Sequence, residues 1–254
     1  MLARCSSASI QGMEALPVTV EVDLAPGLPG LQLVGLPDAA IQESRERVRA
    51  ALRNSGFRGP LVRVIVNLAP ADRRKEGPAF DLPIALALLV ASGQLDPQKL
   101  EGLCCAGELG LDGSLRSCRG ILAMACQAKT QQAKAFVVPS ANAAEASLVD
   151  GLPIVSAKTL GELVEQLRHG GQNNRCSPPE QEVATTTTIP TSASEPPSAA
   201  PLTIQHFARK ALAIAAAGGH HLLMVGPPGC GKTMLARELP SLLPPLSDSE
   251  ALEL

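Results

Sequence analysis

One stretch of the chain, residues 170–201, restricts what it can fold into more than any other. It reads "GGQNNRCSPPEQEVATTTTIPTSASEPPSAAP". The stretch has almost no apolar periodicity and is dense in Pro, Ser, Thr and Gly, so it cannot bury enough apolar surface to offset the entropy lost on ordering. We therefore predict a disordered linker here, with two separately folded parts on either side, residues 1–169 and 202–254.

The first part alternates strand-like and helix-like segments. Apolar residues alternate with polar ones in Pro17–Ala25, and further strands are predicted at Leu31–Leu36 and Leu61–Pro70. Between the second and third strands, Asp38 is placed to cap a helix that runs to about Ser55. Strands and helices without strict βαβ repetition predict an α+β fold for residues 1–169.

The rest of this part continues the mixed pattern. "FDLPIALALLVASG" (Phe80–Gly93) is apolar all round and predicts a buried helix, and "LCCAGELGLDGSLR" (103–116) predicts a hairpin with Asp112-Gly113 as its two-residue turn. The remaining predictions are helices at 121–130, 141–149 and 159–168, and a strand over "AFVVP", 135–139.

The sharpest motif of the chain lies in the second part. The string G-x-x-x-x-G-K-[ST] is matched by Gly226, Pro227, Pro228, Gly229, Cys230, Gly231, Lys232 and Thr233. "HLLMV" precedes it as a predicted buried strand, and "TMLARELPSLL" follows as a predicted helix. Such a loop turns backbone N–H groups toward phosphate, while the Lys reaches the β- and γ-phosphates and the Thr hydroxyl binds Mg²⁺. The motif predicts ATP and Mg²⁺ as cofactors, with Thr233 as the metal ligand.

Hydrolysis also requires an acidic residue at the end of a second apolar strand. The acids after Thr233 are Glu238, Asp248, Glu250 and Glu253, and none of them ends an apolar strand in the sequence. We therefore expect the ATPase module to begin at residue 202 and to be incomplete at Leu254, so that this chain alone sustains no ATP hydrolysis.

Composition excludes some partners and compartments. With 22 basic and 24 acidic residues, the chain has no bulk charge to attract nucleic acid, and it has neither Trp nor Tyr to stack on bases. Seven cysteines without a CxxC pair favour reduced thiols over a zinc site or a disulfide framework. Because no signal peptide or membrane span is recognisable, we expect a cytoplasmic protein.

A basic stripe of Arg45, Arg49 and Arg53 lies on the helix predicted after Asp38. It suggests a DNA-facing patch. The spacing of Glu43 to Arg47, and of Glu46 to Arg49, favours instead a solvated face with intrahelical ion pairs.

Three segments together resemble the ComM/YifB-type magnesium-chelatase-like AAA+ ATPases. They are "VTVEVDLAPGLPGLQLVGLPDAAIQESRERVRAAL", "NLAPADRRKEGPAFDLPIALALL" and "AAAGGHHLLMVGPPGCGKTMLARELPSLLPPLS". The resemblance implies a Lon-protease-like domain before an AAA+ ATPase that assembles as a homo-hexamer and drives branch migration of DNA during natural transformation. It also implies that the remaining ATPase motifs follow residue 254.

The resemblance further implies that the Lon-type catalytic dyad is missing. The nucleophile string K-x-G-P-S reads Lys75-Glu76-Gly77-Pro78-Ala79, and the position of the catalytic Lys corresponds to Leu122. Neither Ala nor Leu can attack a carbonyl or accept a proton, so no peptidase activity is expected.

Two other interpretations remain open at this point. The chain can be a stand-alone scaffold whose phosphate-binding loop is vestigial, or part of a chelatase-type motor that inserts Mg²⁺ into a porphyrin. The Lon-like part favours the DNA-remodelling protein over the chelatase.

Overall fold

The computed structural model describes residues 2–12, 14–59, 61–169, 202–247 and 250–251. The chain divides into two compact units, Met1–Thr185 and Thr186–Leu254; the described residues up to 169 belong to the first unit and those from 202 to the second, and each unit is described by itself. The predicted linker, 170–201, lies outside the described residues. The chain has no helix, in the part described, that is long and apolar enough to cross a bilayer.

A mixed seven-stranded sheet forms the centre of the first unit, in the order β3-β4-β2-β1-β5-β8-β9. Strand β1 pairs antiparallel with β2, and β2 antiparallel with β4, whereas the other neighbours in the sheet are parallel. A separate two-stranded hairpin consists of β6 and β7. The strands are β1 Leu2–Gln11, β2 Glu14–Ala25, β3 Gly30–Val34, β4 Arg63–Ala69, β5 Leu103–Cys105, β6 Glu108–Leu109, β7 Leu115–Arg116, β8 Ala135–Pro139 and β9 Ile154–Ala157. The predicted α+β class is confirmed.

Helices cover the sheet, and local sequence explains where they begin. The first-unit helices are α1 Ala39–Asn54, α2 Asp81–Ala91, α3 Ile121–Thr130, α4 Ala143–Ala146 and α5 Leu160–Arg168. The Asp38 carboxylate accepts a hydrogen bond from Ile41 N at 2.8 Å, which confirms it as the N-cap of α1. Every residue of α2 is buried, as the apolar run that follows Asp81 predicts.

Two apolar clusters lie among these elements. One contains α2, the inner faces of α1 and α5, and the alternate residues Val64, Val66 and Leu68 of β4. The other lies around α3 and β8, and it includes Phe136 and Ala8. Burial at every second residue of β4 is what the alternation of its side chains predicts.

The hairpin prediction is only partly correct. The segment Leu103–Cys105 does not enter the hairpin but lies in the large sheet, parallel to β8. The predicted turn, Asp112-Gly113, is also displaced by one residue. Leu109 pairs with Leu115, and within the loop between them Gly113 N donates to Gly110 O at 3.0 Å. The central turn residues are therefore Leu111 and Asp112. The apolar segment 103–105 instead forms a largely buried strand between β1 and β8, with Cys104 and Cys105 buried.

The second unit contains α6 Leu202–Gly218 and α7 Lys232–Leu242. The two helices pack together, and Arg209 Nη2 donates to Glu238 Oε1 at 2.9 Å. The strand predicted for "HLLMV" is not formed, since residues 220–227 lie in no strand, and Leu223 and Val225 are exposed. Strands require a neighbour to complete their hydrogen bonds, and the described part of this unit contains no other strand.

Candidate functional site

The predicted phosphate-binding string forms one continuous loop in the second unit. It follows residues 221–225, which belong to no helix or strand, and ends in the first turn of α7. Gly229 and Gly231 have φ angles of +82° and +87°, in the left-handed region that favours glycine. A Cβ atom on Gly226 would lie 3.0 Å from Cys230 Sγ, so a larger residue there would require the Cys230 side chain to shift. Gly229 and Gly231 therefore have a conformational reason at their positions.

The Lys232 side chain folds back over this loop. Its ammonium donates to Gly226 O at 2.7 Å and to Pro227 O at 2.8 Å, and it lies 3.4 Å from Cys230 Sγ. These contacts hold a positive charge against the concave backbone of the loop. Since the bonded carbonyl groups belong to the first two residues of the motif, the ammonium bridges its two ends.

The N-terminus of α7 is arranged to receive an anion. Gly231, the N-cap, contributes no side-chain hydrogen bond, and the first turn of α7 carries no acidic side chain. The first N–H groups of a helix have no partner within the helix, and the helix dipole adds a partial positive charge there. Thr233 is exposed in this turn. Helix N–H groups and an ammonium group are what a phosphate requires, and the hydroxyl of Thr233 in the same turn is the type of oxygen ligand that Mg²⁺ takes.

Among the acids that follow the loop, those described are engaged elsewhere. Glu238 binds Arg209, and the Glu250 carboxylate accepts hydrogen bonds from Ser247 N and Oγ at 2.8 and 2.6 Å. These bonds lower the pKa of Glu250. Asp248 and Glu253 lie outside the described residues.

The two positions that the resemblance assigns to a Lon-type dyad lie in the first unit. Ala79 is buried in the apolar cluster around α3, and Leu122 packs against the same cluster. Ala79 O accepts from Gly107 N at 2.9 Å, which fixes this residue beside the end of β5. Apolar packing thus occupies both positions, and neither carries a group for acid–base chemistry.

Lys75, in the same string, is buried. Its ammonium donates to Gly35 O at 3.2 Å, to Arg73 O at 2.7 Å and to Pro70 O. Burial lowers the pKa of Lys75. Since three backbone carbonyls take up its donors, Lys75 organises the loop after β4 and offers no free amine.

Sequence reasoning missed one buried ionic group. The Asp81 carboxylate, at the start of α2, accepts from Arg47 Nε at 2.7 Å and Nη2 at 3.0 Å, from Leu109 N at 3.2 Å, and from Ser44 Oγ. The hydrogen bond to Asp81 is the largest factor that raises the pKa of Arg47. The signal was available, because an acid inside the apolar string "FDLPIAL" needs a buried partner.

Arg45, Arg49 and Arg53 of the basic stripe are all exposed, as the prediction of a solvated face requires, but only one of the two predicted ion pairs forms. Glu43 does pair with Arg47, at 3.6 Å. No ion pair forms between Glu46 and Arg49, nor do Arg45 and Arg53 have a carboxylate partner within the described residues.

Comparison with known proteins identifies relatives over nearly the whole chain. Residues 20–142 match the family "Subunit ChlI of Mg-chelatase", and residues 200–254 match "Magnesium chelatase, subunit ChlI". An uncharacterized protein of Mycobacterium tuberculosis is 45% identical over 99% of this chain and 48% of its own length. Competence protein ComM of Haemophilus influenzae is 42% identical over 99% of this chain and 48% of its length. The uncharacterized protein YifB of Escherichia coli is 41% identical over 95% of this chain and 46% of its length.

The chain therefore spans about half the length of these relatives. The two matched regions contain, respectively, most of the mixed sheet and the whole glycine-rich loop. With both regions matched, and with named relatives aligned along nearly all of its residues, the chain belongs to the ComM/YifB-type family of magnesium-chelatase-like proteins.

Proposed function

We propose that residues 226–233 bind ATP together with Mg²⁺. The observation that supports this most is the position of the Lys232 ammonium, held over a glycine-rich loop that runs into an uncapped helix N-terminus. A bound nucleotide supplies a polyphosphate and, on hydrolysis, free energy for a conformational change. The residues of this chain bind and orient that polyphosphate.

Each part of the loop has a separate task in this proposal. Backbone N–H groups of the loop and of the first turn of α7 bind phosphate oxygens, and Gly229 and Gly231 allow the backbone to approach closely. Lys232 exchanges its bonds to Gly226 O and Pro227 O for phosphate oxygens, which are stronger, charged acceptors. The Thr233 hydroxyl contributes one ligand to Mg²⁺.

For the complete protein we propose an ATP-driven motor that remodels DNA by branch migration and serves competence and recombination. It would act in the cytoplasm as a homo-hexameric ring. The name of the relative ComM, a competence protein, and the match to Mg-chelatase subunits support this proposal. The first unit then serves contact or assembly and not proteolysis, because its Ala79 and Leu122 carry no catalytic group.

A chelatase motor that serves Mg²⁺ insertion into a porphyrin is the second candidate, and the wording of the matched families favours it. A scaffold that binds no nucleotide is the third. The three candidates differ in what the complete protein does with ATP.

The test uses the complete protein and its Lys232→Ala and Lys210→Ala variants. Lys210 is an exposed residue of α6 and serves as the matched loss of one positive charge. A motor moves a labelled four-way DNA junction with ATP, fails to do so as Lys232→Ala, and is unaffected as Lys210→Ala. ATP-dependent support of Mg²⁺ insertion into a porphyrin, with no junction movement, selects the chelatase. Neither activity, and no ATP bound, selects the scaffold.

A further inference from the structure

Strand β3 has a free backbone edge. One side of Gly30–Val34 pairs in parallel with β4, and its other side faces no strand among residues 2–169. Natural proteins protect such edges with Lys, Pro or a bulge, because an open edge accepts another strand. The sequence of β3, "GLQLV", contains no charged residue and no Pro. The edge is therefore available for strand addition.

Two recesses flank the N-terminal half of this edge. One, of about 390 Å³, lies on the side of α1 and is lined in part by Arg49, Arg53 and Leu61. The other, of about 410 Å³, is lined in part by Leu28 and Arg63. Both recesses include Gly30 and Leu31. Since successive side chains of a strand point to opposite faces, a strand added here would place them alternately in the two recesses.

The lining has a definite chemistry on each side. Leu61 is 85% exposed and Leu28 is 89% exposed, so each recess presents a large apolar side chain to solvent. Arg49 and Arg53 form no ion pair within the described residues, and the Arg63 guanidinium donates only to the neutral amide of Gln32, at 2.9 Å. Glu46 is the one acid that lines either recess, against three arginines. Each recess thus combines an exposed leucine with arginine in excess over acid.

We propose that the β3 edge binds an extended, acidic segment of a partner protein as an additional strand. Backbone hydrogen bonds to Gly30–Val34 provide affinity, and acidic and apolar side chains that enter the recesses provide specificity. Duplex DNA is the other anion that arginines attract. A phosphate backbone would use neither the open strand edge nor the exposed leucines, so the peptide accounts for more of the observations.

The experiment measures binding of a fluorescein-labelled peptide, Glu-Val-Glu-Leu-Glu-Val-Glu, to the whole chain by anisotropy. One control peptide replaces every Glu by Lys, which reverses the charge, and the other replaces both Val by Pro, which removes two backbone N–H donors. The tested variant is Arg49→Glu/Arg53→Glu, and Arg119→Glu, an exposed arginine that lines neither recess, is its matched control.

The proposal predicts that the acidic peptide binds and that both control peptides bind at least about tenfold more weakly. Arg49→Glu/Arg53→Glu should weaken the acidic peptide by a similar factor and improve the lysine peptide, whereas Arg119→Glu should leave both unchanged. Hydrogen exchange of residues 30–34 should slow in the complex. Equal binding by wild type and the double variant, or equal binding of the proline peptide, would overturn the proposal. So would a short DNA duplex that binds through Arg49 and Arg53 when the acidic peptide does not.

Discussion

Removal of the buried carboxylate of Asp81 should be among the most damaging single changes in the first unit. In Asp81→Ala the Arg47 guanidinium, whose side chain is 19% exposed, loses its buried partner, and Leu109 N and Ser44 Oγ lose their acceptor. Loss of one partner from a buried ion pair costs about 3–5 kcal/mol. Because water still reaches Arg47, we use the lower limit, about 3 kcal/mol, and add about 1 kcal/mol for the stranded donors.

The expected loss in the free energy of unfolding is therefore about 4 kcal/mol, or about 10 °C in Tm. Urea and thermal unfolding followed by circular dichroism measure it. Asp150→Ala, which removes an exposed acid, should change the free energy by less than about 0.5 kcal/mol. In the Arg47→Ala/Asp81→Ala double variant, the loss should be smaller than the sum of the single losses, because no charge is left stranded. A loss below about 1 kcal/mol for Asp81→Ala, or strictly additive losses, would refute this reasoning.

Two further predictions concern a close backbone contact and the thiols. The Gly35→Ala variant should unfold at a much lower urea concentration than the Gly12→Ala variant. Both glycines have positive φ, so both substitutions strain the backbone. A Cβ atom on Gly35 would in addition clash with the Leu68 backbone oxygen of β4, whereas a Cβ atom on Gly12 would meet open space. Equal midpoints would refute the contact. Exposed Cys230 should react with a thiol reagent at pH 8, whereas Cys104 and Cys118 should stay protected until the protein unfolds. Desolvation raises the pKa of both buried thiols to about 12. Peptide mass spectrometry identifies which cysteines are labelled. Rapid labelling of all three thiols at pH 8 would contradict the burial. Because the two buried thiols hold their protons more tightly in the folded state than in the unfolded state, the free energy of unfolding should fall as pH rises from about 9 toward 12.

Periodicity predicted most of the first unit because burial there follows the residue pattern directly. Strand β2, the cap at Asp38 and the wholly buried α2 are examples. Strand β1 was not predicted, since its buried positions include Ser7 and Ser9, whose polar side chains hide the alternation. Its existence depends on pairing with β2 and β5, which is tertiary information.

In the second unit, the residue spacing predicted the loop but not the structure of the segment before it. The glycines and Lys232 could be assigned from spacing alone, because a phosphate-binding loop needs those residue types at fixed positions. The strand predicted at 221–225 was wrong, since strand formation depends on a neighbour that local sequence does not specify. The unpaired state of Arg49 and Arg53 could not be predicted either, because helical spacing permits ion pairs without requiring them.

The central claim is that Gly226–Thr233 binds Mg²⁺ and ATP, and calorimetric titration of the complete protein with ATP tests it most directly. We predict saturable binding that requires Mg²⁺, is weakened at least about tenfold by Lys232→Ala and is unchanged by Lys210→Ala, because only Lys232 holds its charge over the loop. Thr233→Ala should weaken the dependence on Mg²⁺. Binding that Lys232→Ala leaves intact, or no binding by the wild-type protein, would contradict the account.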